Sequence, residues 1–178
     1  MKKVITLFAA VVMIASFSNT VMAQVPAVSN GASAIATGTA TIISPITITK
    51  NVDMNFGNVA VQALTGGTVL LSPSATPTRT ATSGVSLPAT MGTVSAAKFT
   101  VTGTANFTYA IGLQTAAVAF TGSTTMTIDT FTSLPSGSSI ITTGDNIIYV
   151  GALLHVGAGE TAGTYLSASP FTVMVNYN

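Results

Sequence analysis

The single histidine and the few acidic residues are the side chains of this 178-residue chain that are best suited to chemistry. His155 lies in the run Leu153–Gly157, near the end of a predicted strand, and only Glu160 is close to it in sequence. A metal site needs several converging His, Cys or carboxylate ligands, and a catalytic triad would need the same histidine. The sequence therefore predicts a structural role for His155, no metal or cofactor site, and no enzymatic activity.

Two short segments resemble ligand-binding loops only in part. Gly157–Gly163 lacks the dinucleotide-binding spacing, and no predicted helix follows it to present an N-terminus to a phosphate. Asp53–Gly57 begins like a calcium loop, but Leu64 stands where the glutamate at position twelve belongs. We expect Gly157–Gly163 to be a turn between the last two strands, and we expect no bound cofactor.

The elements that carry these residues are predicted to be strands. Short runs of alternating apolar and polar residues recur between Gly, Pro, Ser and Asn, and no run has the spacing of an amphipathic helix. This pattern predicts an all-β, antiparallel β-sandwich. The predicted strands lie near Ile35–Ile43, Ile46–Thr49, Val52–Phe56, Thr68–Leu71, Thr80–Leu87, Ala97–Thr102, Phe107–Leu113, Thr124–Phe131, Asn146–Val156 and Phe171–Tyr177.

The first 23 residues have the organisation of a signal peptide. Lys2 and Lys3 precede the apolar run Val4–Phe17, and small residues lead to a predicted cut after Ala23. The run has 14 residues, fewer than the roughly 20 that a membrane-spanning helix needs. We therefore expect an exported protein whose mature chain begins at Gln24 and has no transmembrane span.

Charge and cysteine content exclude other classes. Without Lys2 and Lys3 the chain keeps three basic and four acidic residues, so it has no basic surface for nucleic acid. The absence of cysteine means that no disulfide staples the exported domain, so packing and strand pairing must hold it.

The two ends of the mature chain are the candidate assembly elements. Phe171, Val173, Val175 and Tyr177 form the apolar face of a C-terminal strand that we expect to need a pairing partner. Near the other end, residues 24–44 form either an ordinary first strand or a separable N-terminal arm, followed by a β-sandwich domain over 45–178. If the segment is an arm, Ile35 and Ile43, or Ala36 and Ile42, would fill pockets on a neighbouring subunit.

Several motifs in order carry a family resemblance across about residues 42–178. They are Pro45–Thr49, Met54–Gly57, Gly67–Val69, Ala97–Gly103, Asn106–Ile111, Gly151–Gly157, Gly163–Tyr165 and Phe171–Asn178. With them the chain resembles the bacterial secreted family called domain of unknown function 4402, which is similar in pattern to spore coat U-like proteins and archaic chaperone–usher pilins.

The resemblance implies an immunoglobulin-like sandwich, exported by a Gram-negative-type bacterium to the periplasm, cell surface or medium. Pilins of that class lack their last strand and receive it from the N-terminal arm of the next subunit. Their C-terminal strand, with a penultimate aromatic residue, pairs with a periplasmic chaperone, and Tyr177 holds that place here. The chain departs from archaic pilins in lacking their disulfide.

Two functions therefore stay open at this point. One is a structural or adhesive subunit that assembles by β-strand addition with copies of itself or with a chaperone. The alternative is a monomeric periplasmic or surface sandwich that binds glycan or protein, with Tyr109, Tyr149 or Tyr165 as a stacking platform.

Overall fold

A computed structural model describes residues 30–123 and 125–178, and in this part of the chain all regular structure is β-strand. The predicted signal peptide, its cleavage site after Ala23 and the start of the predicted strand at Thr124 lie outside the described residues. The strands are β1 Thr47–Val52, β2 Ala60–Val61, β3 Gly67–Leu71, β4 Arg79–Ser83, β5 Val85–Ser86, β6 Ala97–Thr102, β7 Thr108–Leu113, β8 Val118–Ala119, β9 Thr127–Leu134, β10 Ser138–Ile140, β11 Asn146–Val156 and β12 Val173–Tyr177.

The strands form three antiparallel sheets. The largest has seven strands in the order β1-β6-β11-β3-β4, with β9 also paired to β11 and β8 paired to β9. A three-stranded sheet has the order β10-β7-β12, and β2 pairs with β5 alone. The prediction of an all-β, antiparallel fold with a sandwich-like arrangement is confirmed.

The longest strand, β11, organises the large sheet by changing partners along its length. Residues 146–150 pair with β6 and residues 153–156 with β3, while β9 pairs with residues 149–155. Since a strand has two edges, β6 and β3 must share one edge and β9 must take the other. The change falls at Gly151, where a Cβ atom would lie 2.1 Å from the carbonyl oxygen of Leu71. Only glycine allows the two backbones to approach so closely.

The buried apolar side chains form two clusters. The first lies around β3, β9 and the end of β11, and includes Val69, Leu71 and Leu154. The second lies between the large sheet and the three-stranded sheet, and includes Val101, Tyr109 and Ile148. Half-buried residues that pack against both clusters join them into one interior: Met54, Phe131 and Phe171.

Several strand predictions differ from the structure. Residues 31–46 form no strand, so Ile35–Ile43 is not a first strand, and the strand predictions at Ile46–Thr49 and Val52–Phe56 are replaced by the single strand β1. The alternating pattern of Ile35–Ile43 suits a strand, but a strand also needs a neighbour, and the described part of the chain supplies none. Phe107, the first residue of a predicted strand, instead precedes β7 and is 41% exposed, with its ring edge-on to Tyr177.

Candidate functional site

Three of the predicted strand-pairing residues, Val173, Val175 and Tyr177, lie on β12 at an open edge of a sheet. β12 pairs with β7 on one side, and along its other edge no strand of the described chain is hydrogen-bonded to it. β1 likewise pairs only with β6. The two strands approach each other in part without forming a ladder. We call the unpaired edges of β1 and β12 the seam.

The apolar face of β12 follows the alternation predicted from the sequence. Val173, Val175 and Tyr177 pack against the second cluster, while Met174 points outward and is 55% exposed. The three inward residues are only half-buried, whereas Ile148 and Val150 of β11 in the same cluster are 0% exposed. The interior is therefore less completely covered at β12 than at β11.

On the other side of the seam, β1 offers a similar arrangement. Ile48 and the preceding Ile46 are half-buried against the same cluster, and the rest of β1 is exposed. The outward Thr47 and Thr102 hydroxyls are 2.6 Å apart across the ladder with β6. Both borders of the seam thus present incompletely buried aliphatic side chains.

Phe171 anchors the chain just before β12. Its ring stacks on Phe131 with 4.9 Å between centroids, and meets Phe99 edge-on at 6.5 Å. Such aromatic pairs add stability beyond the buried area. Phe171 is therefore a core contact for both clusters and not a part of the seam itself.

The two predicted arm residues have different environments. Ile35 is 97% exposed, and Ile43 is half-buried. Ile42, on the opposite face of the extended pattern, is also 97% exposed. Isolated exposed hydrophobic residues are common on proteins. Here two almost fully exposed isoleucines lie seven residues apart in a segment that forms no strand.

A group of hydrogen bonds fixes the chain where this segment enters the domain. The backbone N–H of Ser44 donates to the Thr104 hydroxyl at 3.1 Å, and the Tyr177 hydroxyl donates to the Ser44 carbonyl at 2.9 Å. The Thr104 N–H donates to the Tyr177 oxygen at 2.8 Å. We call these three hydrogen bonds the Ser44 latch. The sequence could not indicate them, because Thr104 and Tyr177 follow Ser44 by 60 and 133 positions.

His155 pairs with a residue that the sequence did not single out. Its Nε2 atom lies 3.0 Å from Oδ1 of Asp129, which also accepts a 2.9 Å hydrogen bond from the Thr130 hydroxyl. His155 and Asp129 are diagonal neighbours on β11 and β9, next to a β-bulge. Thr130 at that bulge has a positive φ of 48°. Within the described residues, no group of three His, Cys or acidic side chains is placed to hold a metal ion.

Glu160 ties the loop after β11 to the turn before β9. Its Oε1 atom accepts 2.5 Å hydrogen bonds from the hydroxyls of Ser123 and Thr125. These donors, Ser123 first, lower the pKa of the Glu160 carboxyl below its ordinary value of 4.5, because they stabilise the charged form. The arrangement joins two loops.

The three tyrosines that the binding-module alternative would use differ in exposure. Tyr109 is 1% exposed in the second cluster, so it is a core residue and not part of a stacking platform. Tyr165 donates its hydroxyl to the Thr161 carbonyl at 2.6 Å in the loop before β12. Tyr149 is half-buried on β11.

A concavity of about 740 Å³ lies between the loops 72–78 and 87–94. The charged side chain in its lining, Arg79, uses Nη1 to donate to the carbonyls of Phe56 and Asn58 at 2.7 and 2.8 Å. The guanidinium therefore fastens the chain around Gly57 to the start of β4, which is a structural role.

The strands define an all-β protein of antiparallel, sandwich-like sheets. Among the described residues, one edge of its C-terminal strand β12 is unpaired. The sequence profile described as Domain of unknown function (DUF4402) matches residues 46–177. Because this match covers most of the chain, the protein belongs to the DUF4402 family, as its motifs indicated. Comparisons with curated proteins and with solved structures found no match. No helix among the described residues has the length and hydrophobicity to cross a membrane.

Proposed function

We propose that this protein is a secreted bacterial surface subunit, structural or adhesive, that assembles by β-strand addition at the seam. In this function the N-terminal segment of one copy adds a strand beside β12 of another. An immunoglobulin-like, pilin-type sandwich is the form of the fold that this function requires. The observation that carries the proposal is the unpaired edge of β12 above a row of half-buried apolar side chains.

The backbone of β12 supports this function first. An edge strand presents N–H and C=O groups to any chain that can pair with them, and natural proteins usually block such edges with charge, especially lysine. β12 reads Val-Met-Val-Asn-Tyr and has no charged residue. The free edge is therefore unprotected against strand addition.

The side chains along the seam supply the second requirement. In strand addition, main-chain hydrogen bonds provide affinity, and pockets for alternate side chains provide specificity. Val173, Val175 and Tyr177 alternate along β12 and remain partly exposed. An added strand with small or aliphatic residues at alternate positions would complete their burial.

Residues 30–45 have the composition of such a strand. They include no charged residue, and Ile35 and Ile42 are almost fully exposed. Alternation along this segment places Ile35 and Ile43 on one face and Ala36 and Ile42 on the other. Either face supplies the spaced apolar side chains that a strand acceptor needs.

The predicted signal peptide supports export, and the absence of cysteine is compatible with a domain held by packing and strand pairing. Copies of the same chain, or a periplasmic chaperone, are the partners that the seam suits. A Gram-negative-type periplasm or cell surface is the compartment in which these partners would meet it.

Peptide binding to a shortened protein tests this function. The variant lacks residues 24–43, so it has an acceptor edge but no arm. A synthetic Ala34–Ser44 peptide should raise its melting temperature with concentration, because a ligand that binds only the folded state stabilises it by mass action. A peptide with Ile35 and Ile42 changed to Asp is the matched control.

The full mature chain gives the complementary measurement. Light scattering should show assembly that grows with concentration. A stable monomer over a wide concentration range, with residues 30–43 protected from protease, would contradict assembly and favour the monomeric binding module.

A further inference from the structure

We propose that Pro45 and the Ser44 latch act together to keep the chain's own arm out of its own seam, so that a second copy must supply the added strand. This inference rests on the proposed function and concerns which copy of the chain supplies the added strand. It identifies residues that decide between self-closure and assembly.

Chain connectivity defines what self-closure requires. The arm continues directly into β1, which begins at Thr47 and has its free edge along the seam. To lie beside β1, the arm would have to reverse direction and run antiparallel to it. A reversal within Ile43–Ile46, directly before β1, would bring the largest number of arm residues alongside β1.

The sequence of this reversal point opposes a tight hairpin. A two-residue turn would put Ser44 and Pro45 at its centre. The favoured type I′ turn needs positive φ at both central residues, whereas proline is fixed near −65°. Type II′ calls for glycine at the first central position, where Ser44 stands, and proline at the second position is disfavoured in type I. The common two-residue hairpin turns centred on Ser44 and Pro45 are therefore all unfavourable.

The Ser44 latch adds a second obstacle. Both backbone groups of Ser44 are already engaged, its N–H by Thr104 and its carbonyl by Tyr177. These partners come from the β6–β7 turn and the end of β12, so the body of the domain holds Ser44 from two sides. A reversal at Ser44 would break both bonds and leave the Thr104 and Tyr177 groups to find new partners.

The latch is itself well supported. The Tyr177 ring packs edge-on against Phe107 with 5.8 Å between centroids, so the hydroxyl is aimed by a half-buried ring. Gly103 makes room for it, since a Cβ atom there would lie 2.4 Å from the Tyr177 hydroxyl oxygen. The site where the arm leaves the domain is therefore fixed by packing as well as by hydrogen bonds.

The test removes both obstacles in the full mature chain. Ser44→Asn with Pro45→Gly introduces the Asn-Gly pair that favours a type I′ hairpin, and Tyr177→Phe removes the hydroxyl of the latch while keeping the ring. The triple variant should lose concentration-dependent assembly and become a monomer whose residues 30–43 resist protease. It should also stop responding to the Ala34–Ser44 peptide. Tyr165→Phe, which removes a hydroxyl bonded to Thr161 in another loop, is the matched control and should behave like the parent.

The double variant Ser44→Asn/Pro45→Gly serves if Tyr177→Phe prevents folding, and it should shift the same readouts in the same direction. The proposed barrier to self-closure, formed by Pro45 and the Ser44 latch, is disproved if these variants assemble and expose their arms like the parent while the arm-deleted protein still binds the peptide. If the arm-deleted protein ignores the peptide, the proposed function fails, and the barrier fails with it. The two failures are therefore distinguishable.

Discussion

The substitution Val175→Asp can distinguish a loss of domain stability from a loss of strand binding at the seam. Val175 lies on β12, opposite Ile111 of β7, and its side chain is half-buried against the second cluster. Val150 on β11 belongs to the same cluster but is 0% exposed. Asn176 is the exposed neighbour of Val175 on the same strand. Aspartate at these three positions gives a buried, a seam and an outward-facing charge.

The expected magnitudes follow from burial. Full burial of a valine side chain is worth about 1.5–3 kcal/mol, so the half-buried Val175 contributes about 1 kcal/mol. An aspartate there can still reach water, and Val175→Asp should cost about 1–2 kcal/mol. Val150→Asp loses the whole transfer term and also buries an unpaired charge at several kcal/mol. That loss approaches the total stability of about 5–15 kcal/mol typical of a domain, so Val150→Asp should not fold.

The assay combines melting with peptide addition in the arm-deleted protein. Val175→Asp should melt a few degrees below the parent and show no rise in melting temperature with the Ala34–Ser44 peptide, because the added strand would bury the charge. Asn176→Asp should keep the stability and lose less of the peptide response than Val175→Asp, because its charge stays in water but still lies on the edge strand that the peptide must pair with. If Val175→Asp is as damaging as Val150→Asp, the seam is already closed in the monomer. If Val175→Asp still takes up the peptide, the added strand does not lie over Val175.

Three further predictions concern other parts of the chain. Gly151→Ala should destabilise the domain by about 3 kcal/mol or more in chemical denaturation, because the added Cβ atom would meet the backbone of Leu71. The control Gly144→Ala, which has no atom within 4 Å of the added carbon, should stay within about 1 kcal/mol of the parent. The lowered pKa of Glu160 means that its carboxylate stabilises the folded state fully above pH 4.5 and loses this effect as pH falls through the lower folded pKa. Glu160→Gln should therefore flatten the fall in melting temperature below pH 4.5, and an unchanged acid profile would contradict the hydrogen bonds from Ser123. Mass spectrometry of exported material should find Gln24 as the first residue, and recovery of uncleaved precursor in the inner membrane would refute export.

Alternation in the sequence was a good guide to which strand residues face the interior. Along β12 the inward row of Val173, Val175 and Tyr177 is the predicted one. Alternation gives the face of a residue but says nothing about the neighbour that covers it. For this reason it could not distinguish the fully buried face of β11 from the half-buried face of β12.

Short strands and polar contacts were harder to predict because tertiary pairing creates them. β2, β5 and β8 have two residues each, too few to show a period. The contact between His155 and Asp129 depends on the register of β9 against β11 and on the bulge between them. No local feature near His155 indicates a partner 26 positions away.

In the proposed assembly, affinity and direction would depend on different residues, those around Val175 and those around Ser44. The half-buried residues of β12 are the ones that an added strand would cover. Substitutions along this face should therefore change how tightly the added strand binds. Pro45, Thr104 and the Tyr177 hydroxyl lie where the arm leaves the domain, and in the proposed assembly they would favour the arm of a second copy over the chain's own arm. Tyr177 belongs to both groups, with its ring in the apolar row and its hydroxyl on Ser44. Tyr177→Phe should therefore raise the ratio of monomer to assembly with little change in peptide affinity, whereas Tyr177→Ala should raise that ratio and also weaken peptide binding.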